Sequence, residues 1–148
     1  MARCVSSNGL EKRLQLMKQT IFLLLLVLAI TGTAQSTKIS TMDFVQIQNG
    51  NRAETIYYYE NNWLILRKMA LERNFIDSYE LIEVESSEEA PFHLILKTTY
   101  SNKEDFDKSE ERFGKLIEEK GPLALLNDKK PGDFRKIIFY KEAGKHLH

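Results

Sequence analysis

Few residues in this chain have types and spacings suited to chemistry. His93 sits in "PFHLILKTTY", Pro91 to Tyr100, where apolar and polar residues alternate. Successive side chains of a strand point to opposite faces, so His93 shares a face with Ile95, Lys97 and Thr99. A histidine beside a lysine can bind an anion, and its imidazole can act as a general base. His93 is therefore the candidate catalytic residue. The plainer reading is a strand histidine with an ordinary hydrogen-bond partner near a sheet edge. A second group lies in "YYYENNWLIL", Tyr57 to Leu66, which holds three tyrosines and the single tryptophan. Tyr58, Asn62 and Trp63 can line a pocket between a helix and a sheet, since ligand pockets are mostly apolar with a few placed polar groups. Against this, aromatic stripes at helical spacing are usually packing. Tyr58, Asn62, Trp63, His93 and Lys97 make up the candidate ligand-binding set. His146 and His148 stand two apart in a terminal tail without a second pair, so no metal site is expected. The chain has no phosphate loop and no nucleophile elbow, and no cofactor is expected.

The ends bound what remains. Met17-Lys18 precedes "QTIFLLLLVLAITGTAQ", in which Ile21 to Ile30 is unbroken apolar sequence and Gly32-Thr33-Ala34 supplies small residues. That is the layout of a secretory signal peptide, and the run is well short of the roughly 20 residues a membrane-spanning helix takes. Residues 1–34 are read as a leader, with 1–16 an overlong start and Met17 an alternative initiator. Export to the periplasm or the medium follows, with no membrane attachment after cleavage. Cys4, the only cysteine, leaves with the leader, so thiol nucleophiles and thiolate metal sites are excluded. Lys and Arg are dispersed, and the full chain is formally neutral; the basic stripe of a nucleic-acid binder is missing. Residues 35–142 read as one domain and 143–148 as a flexible tail.

Periodicity supplies the elements that position these groups. Thr41–Gln48 alternates as a strand and breaks at Asn49-Gly50-Asn51. From Ala53 to Arg73, Ile56, Tyr59, Trp63, Leu66 and Ala70 recur at helical spacing, with no Gly or Pro between. Asp77–Glu85 and Phe92–Tyr100 are strands around a turn in "SSEEAP". Ser101 to Glu104 reads as a capping box opening a helix that Gly121-Pro122 stops. Phe134–Tyr140 is the last strand. The order β-α-β-β-α-β builds a four-stranded antiparallel sheet with both helices on one face, an α+β fold of ferredoxin-like type.

Helices cover one face of such a sheet, yet every strand carries bulky apolar residues on both alternating sets. Val45, Ile47, Ile82, Val84, Ile95, Ile137 and Phe139 are the expected uncovered set. Leaving them wet forgoes roughly 1.5 kcal/mol apiece, and a second sheet packed through a two-fold axis covers them. A homodimer is the expected assembly. This layout, from Met42 to Tyr140, resembles the dimeric α/β-barrel superfamily, in which two ferredoxin-like subunits close a barrel between their sheets. The resemblance is carried by "YYYENNWLILRKMALERNF", "IDSYELIEV", "PFHLILKTTY" and "DFRKIIFY". It implies a barrel dimer and no particular catalytic residue, because one fold hosts many functions. Three roles are compatible with it: a binder of a small apolar or aromatic molecule, a cofactor-free or haem-dependent monooxygenase-like enzyme, or a structural dimer with a filled interior.

Overall fold

A computed structural model describes residues 37–147; the expected leader and its cleavage point lie outside the described residues. β1 (Ile39–Ile47) leads to α1 (Arg52–Tyr58), a π-helical segment (Tyr59–Trp63) and α2 (Leu64–Glu72). Then come β2 (Ser78–Glu83), β3 (Leu94–Tyr100), α3 (Lys103–Asp107), α4 (Ser109–Lys120), α5 (Pro131–Phe134) and β4 (Arg135–Lys145). The sheet runs β2-β3-β1-β4 with every neighbouring pair antiparallel. The fold is α+β with a β-α-β-β-α-β order, and that strand order is consistent with ferredoxin-like topology. Among the described residues no helix is long and apolar enough to cross a membrane.

Local chemistry explains the boundaries. Asn49 and Gly50 both take positive φ, 52° and 69°, a region glycine and asparagine enter most cheaply, and the chain turns there from β1 into α1. Asn102 caps α3 by accepting from the Asp105 N–H at 2.9 Å, one residue later than the expected cap at Ser101. α4 ends at Gly121, whose φ is 81°, before Pro122.

The core lies between sheet and helices in two clusters. Val45, Tyr59, Leu94 and Leu96 form one, backed by Ile56, Trp63 and Leu81. Ala70, Ile76, Tyr100 and Leu116 form the other. Residues directly opposite in a ladder share a face, so the fully buried pair Val45 and Leu94 assigns every strand. Asp43, Leu96 and Leu81 face the helices with them, while Phe44, Ile95 and Ile82 face away.

This corrects the expected uncovered set. Val45, Ile47 and Ile137 belong to the helix side, and Met42 and Phe44 replace them on the open side. Alternation separates two sets without saying which faces the core, and β4 breaks strict alternation. A bulge leaves Phe44 opposite Phe139 but Val45 opposite Ile137, so Ile138 is the extra residue and its two neighbours face opposite sides. Phe92, just ahead of β3, packs its ring edge-to-face on Phe44 at 4.9 Å rather than joining Leu94. β4 also continues past Tyr140 to Lys145, into residues read as tail, and the His146 ring meets Ser40 Oγ at 2.8 Å.

Candidate functional site

The long helical arm changes pitch midway. At Leu64 the N–H reaches Tyr59 O, five residues back rather than four, which defines the π-helical segment. Such one-turn bulges often mark functional sites. The sequence supplies the chemistry for it: Asn61 Nδ2 donates to Tyr57 O and Asn62 Nδ2 to Tyr58 O, both at 2.9 Å. Two side-chain amides thus serve carbonyls that the displaced backbone ladder would otherwise leave short of a donor. The extra residue lets both Tyr58 and Tyr59 turn inward, with ring centroids 5.3 Å apart.

Above this bulge lies a cavity of about 220 Å³ between the helical arm, the sheet and the segment after α4. Trp63, Leu66, Leu96, Ile117, Leu123 and Ile137 give it apolar walls. Its polar groups are Asp43, Tyr58, Tyr59, Asn62, Lys120 and Arg135. Asn62 is spoken for: its amide donates to Ala124 O at 2.8 Å and its carbonyl accepts from Ala124 N at 2.9 Å. It clamps the loop that forms one wall. Lys120 Nζ donates to Pro122 O at 3.0 Å.

Arg135, the first residue of β4, lies over the Tyr58 ring at 4.5 Å and donates to the Tyr58 hydroxyl at 3.1 Å. Beside this contact the Tyr59 hydroxyl and Arg135 Nε are buried away from solvent, and the Arg135 guanidinium is the polar group close to that hydroxyl. Burial pushes the Tyr59 hydroxyl up to about 12, with the nearby Arg135 charge pulling the other way. Asp43 projects from β1 into the same cavity. Burial raises its carboxyl above the ordinary value, and the charges of Arg67 and Arg135 draw it part of the way back. No hydrogen bond from a described residue reaches that carboxylate. Behind it, Arg67 donates to Thr98 Oγ1 at 2.8 Å and lies between the rings of Trp63 and Phe113, at 4.7 and 4.2 Å. Loss of hydration pulls Arg67 down to about 10, still cationic at neutral pH.

The structure brings Tyr58, Asn62 and Trp63 together on one wall. It places His93 and Lys97 on the opposite face of the sheet. There His93 Nδ1 accepts from Ile47 N at 3.2 Å while Nε2 meets Ser86 Oγ at 3.2 Å, so both ring nitrogens are engaged. Lys97 pairs with Glu80 at 3.6 Å. Asp43, Tyr59 and Arg135 lie outside the candidate set that sequence supplies; the signal for Asp43 is a carboxylate at the centre of an otherwise apolar strand. Ser40, held between His146 and Thr99 at 2.8 Å each, is a second polar cluster that sequence spacing does not reveal, and no carboxylate among the described residues hydrogen-bonds to it. Among the described residues no group of three or more metal-ligating side chains converges. The chain matches no protein-family model, and neither a curated protein nor a solved structure is significantly similar to it.

Proposed function

We propose that this is an exported homodimeric α/β-barrel protein whose domain holds a small apolar or aromatic molecule. The cavity carries the reading: a half-open pocket of about 220 Å³ with aromatic and aliphatic walls beside a helical bulge. An apolar cavity of about 150 Å³ accepts one benzene, so this one suits a single ring with a small substituent. It is smaller than the roughly 300 Å³ at which drug-sized sites begin. Support for export comes from the leader-like segment Lys18–Ala34. Support for the dimer comes from Phe44, Ile82, Ile95 and Phe139 on the open face of the sheet, where Phe139 and Ile82 remain 50% and 40% exposed in the single chain.

Trp63 is the only tryptophan and lines the cavity, so its emission reports occupancy directly. Titration with benzyl alcohol, a neutral one-ring probe, is expected to give a saturable change that Leu66→Phe, by filling the space, removes. Native mass spectrometry of untreated protein is expected to show a co-purified small molecule. An emission that stays flat to millimolar probe, with no extra mass, would leave the cavity without a ligand.

A further inference from the structure

We infer that the molecule held in the cavity is a neutral one-ring hydroxyl compound, its O–H donating to the carboxylate of Asp43. This rests on the cavity being a ligand site and adds the ligand's chemical class and the residue that selects it.

Asp43 is the one acid on the cavity wall. In the ladder it stands opposite Leu96, and it shares the helix-facing layer with Val45, both of them buried. A carboxylate in such a layer gives up hydration, which is costly unless hydrogen bonds replace the water. No hydrogen bond from a described residue reaches it, and the charges of Arg67 and Arg135 act on it only through space. Its oxygens are not sealed, in contrast to the Tyr59 hydroxyl and Arg135 Nε, so a molecule in the cavity can touch them. The other polar groups on the wall are used within the protein. Asn62 is committed to Ala124, Lys120 donates to Pro122 O, and the Tyr58 hydroxyl accepts from Arg135. The open group is therefore an acceptor. An ionised carboxylate only accepts, and the two arginine charges favour the ionised form, so the ligand must donate. A ligand carboxylate has no proton to give and meets Asp43 as a like charge. An ammonium donates, but it meets Arg135 and Lys120 on the same wall, with Arg67 acting from behind the carboxylate. A neutral hydroxyl satisfies both conditions. Trp63, Leu66, Leu96 and Ile137 take the ring.

Trp63 emission on the purified protein compares four one-ring probes: benzyl alcohol, toluene, benzylamine as its ammonium ion, and benzoate. Wild-type protein is expected to hold benzyl alcohol at least about tenfold tighter than either ion, the scale of a hydrogen bond to a charged group. The ratio of benzyl alcohol to toluene affinity isolates the hydroxyl, because a displaced wall affects both probes alike. Asp43→Val removes the acceptor and suits a strand. It is expected to lower that ratio by about tenfold or more, with toluene binding as well as before or better. Asp43→Asn keeps the size and a neutral acceptor, and it is expected to lower the ratio by less, since a charged acceptor is the stronger one. A ratio unchanged in both variants refutes the contact with Asp43 while keeping the cavity as a site. Benzylammonium as the tightest probe would make the ligand a cation, and benzoate as the tightest an anion; either result overturns the inference. No saturable binding of any probe removes both the inference and the reading it rests on.

Discussion

Tyr59 concentrates the cost and the use of this site in one side chain. Its ring is core, packed with Val45, Leu94 and Leu96, while its hydroxyl is buried beside the Arg135 guanidinium. The hydroxyl also sets a pH limit. Its ordinary value of 10.0 is raised to about 12 by burial, so the folded state holds that proton where the unfolded chain releases it. The stability this gives is complete below pH 10.0 and is lost as pH rises toward about 12. Chemical denaturation across this range should therefore show an alkaline decline that is shallower in Tyr59→Phe. Asp43 has the same sign at the acid end. Its raised carboxyl makes the ionised form the costly one, so stability falls as pH rises through its folded value. Asp43→Asn is accordingly expected to stabilise the empty protein at neutral pH and to lose that advantage in acid, which denaturant midpoints at the two pH values would reveal.

At the scale of elements, the π-helical segment decides where the cavity is. Asn62 joins it to the loop after α4 by donating to the Ala124 C=O and accepting from the Ala124 N–H. Asn62→Leu keeps the bulk but strips both partners from that peptide, with an expected loss of roughly 2–4 kcal/mol and fast exchange of the Ala124 amide. Exchange as slow as in the wild type would show that the clamp does not hold the loop. Much of this scaffold is readable in residue order. The alternation in Leu94 to Tyr100, the helical spacing from Ile56 to Ala70 and the stop at Gly121-Pro122 all follow from side-chain periodicity and backbone stereochemistry. Other features are not readable, for physical reasons. The insertion at Ile138 is invisible because a bulge leaves composition unchanged while reversing the face of every residue beyond it. The extension of β4 to Lys145 depends on pairing with Ile39 and Ser40, a long-range contact that local pattern does not encode. The pair Asn61-Asn62 hinted at a helix irregularity, since asparagine is a poor helix former that competes for backbone groups. As for the site, Tyr58, Asn62 and Trp63 fall on one helical arm and can be grouped from spacing. Asp43 and Arg135 join them only through the antiparallel register of β1 and β4, which long-range pairing sets.

For the molecule as a whole, the sheet separates two surfaces with different expected uses. The helix side holds the cavity. The open side carries Phe92, Phe44 and Phe139 in a chain of edge-to-face contacts at 4.9 and 6.4 Å, beside Ile82 and Ile95. A second copy laid on this band through a two-fold axis buries it on both chains. Phe139→Glu places a charge on the exposed part of the band, where folding of the single chain has little stake. It is expected to shift sedimentation velocity from a dimer to a monomer without altering the far-ultraviolet circular dichroism; a wild-type protein already sedimenting as one chain at micromolar concentration would rule the dimer out. The proposed ligand site and the proposed dimer contact thus fall on opposite sides of the sheet, and methyl-detected NMR on wild-type protein titrated with benzyl alcohol distinguishes them in one spectrum. The expected result is saturable shifts at Leu66, Leu96, Ile117, Leu123 and Ile137, with Ile82 and Ile95 still. Shifts confined to Ile82 and Ile95, or none anywhere at saturating probe, would contradict a binding site between helices and sheet.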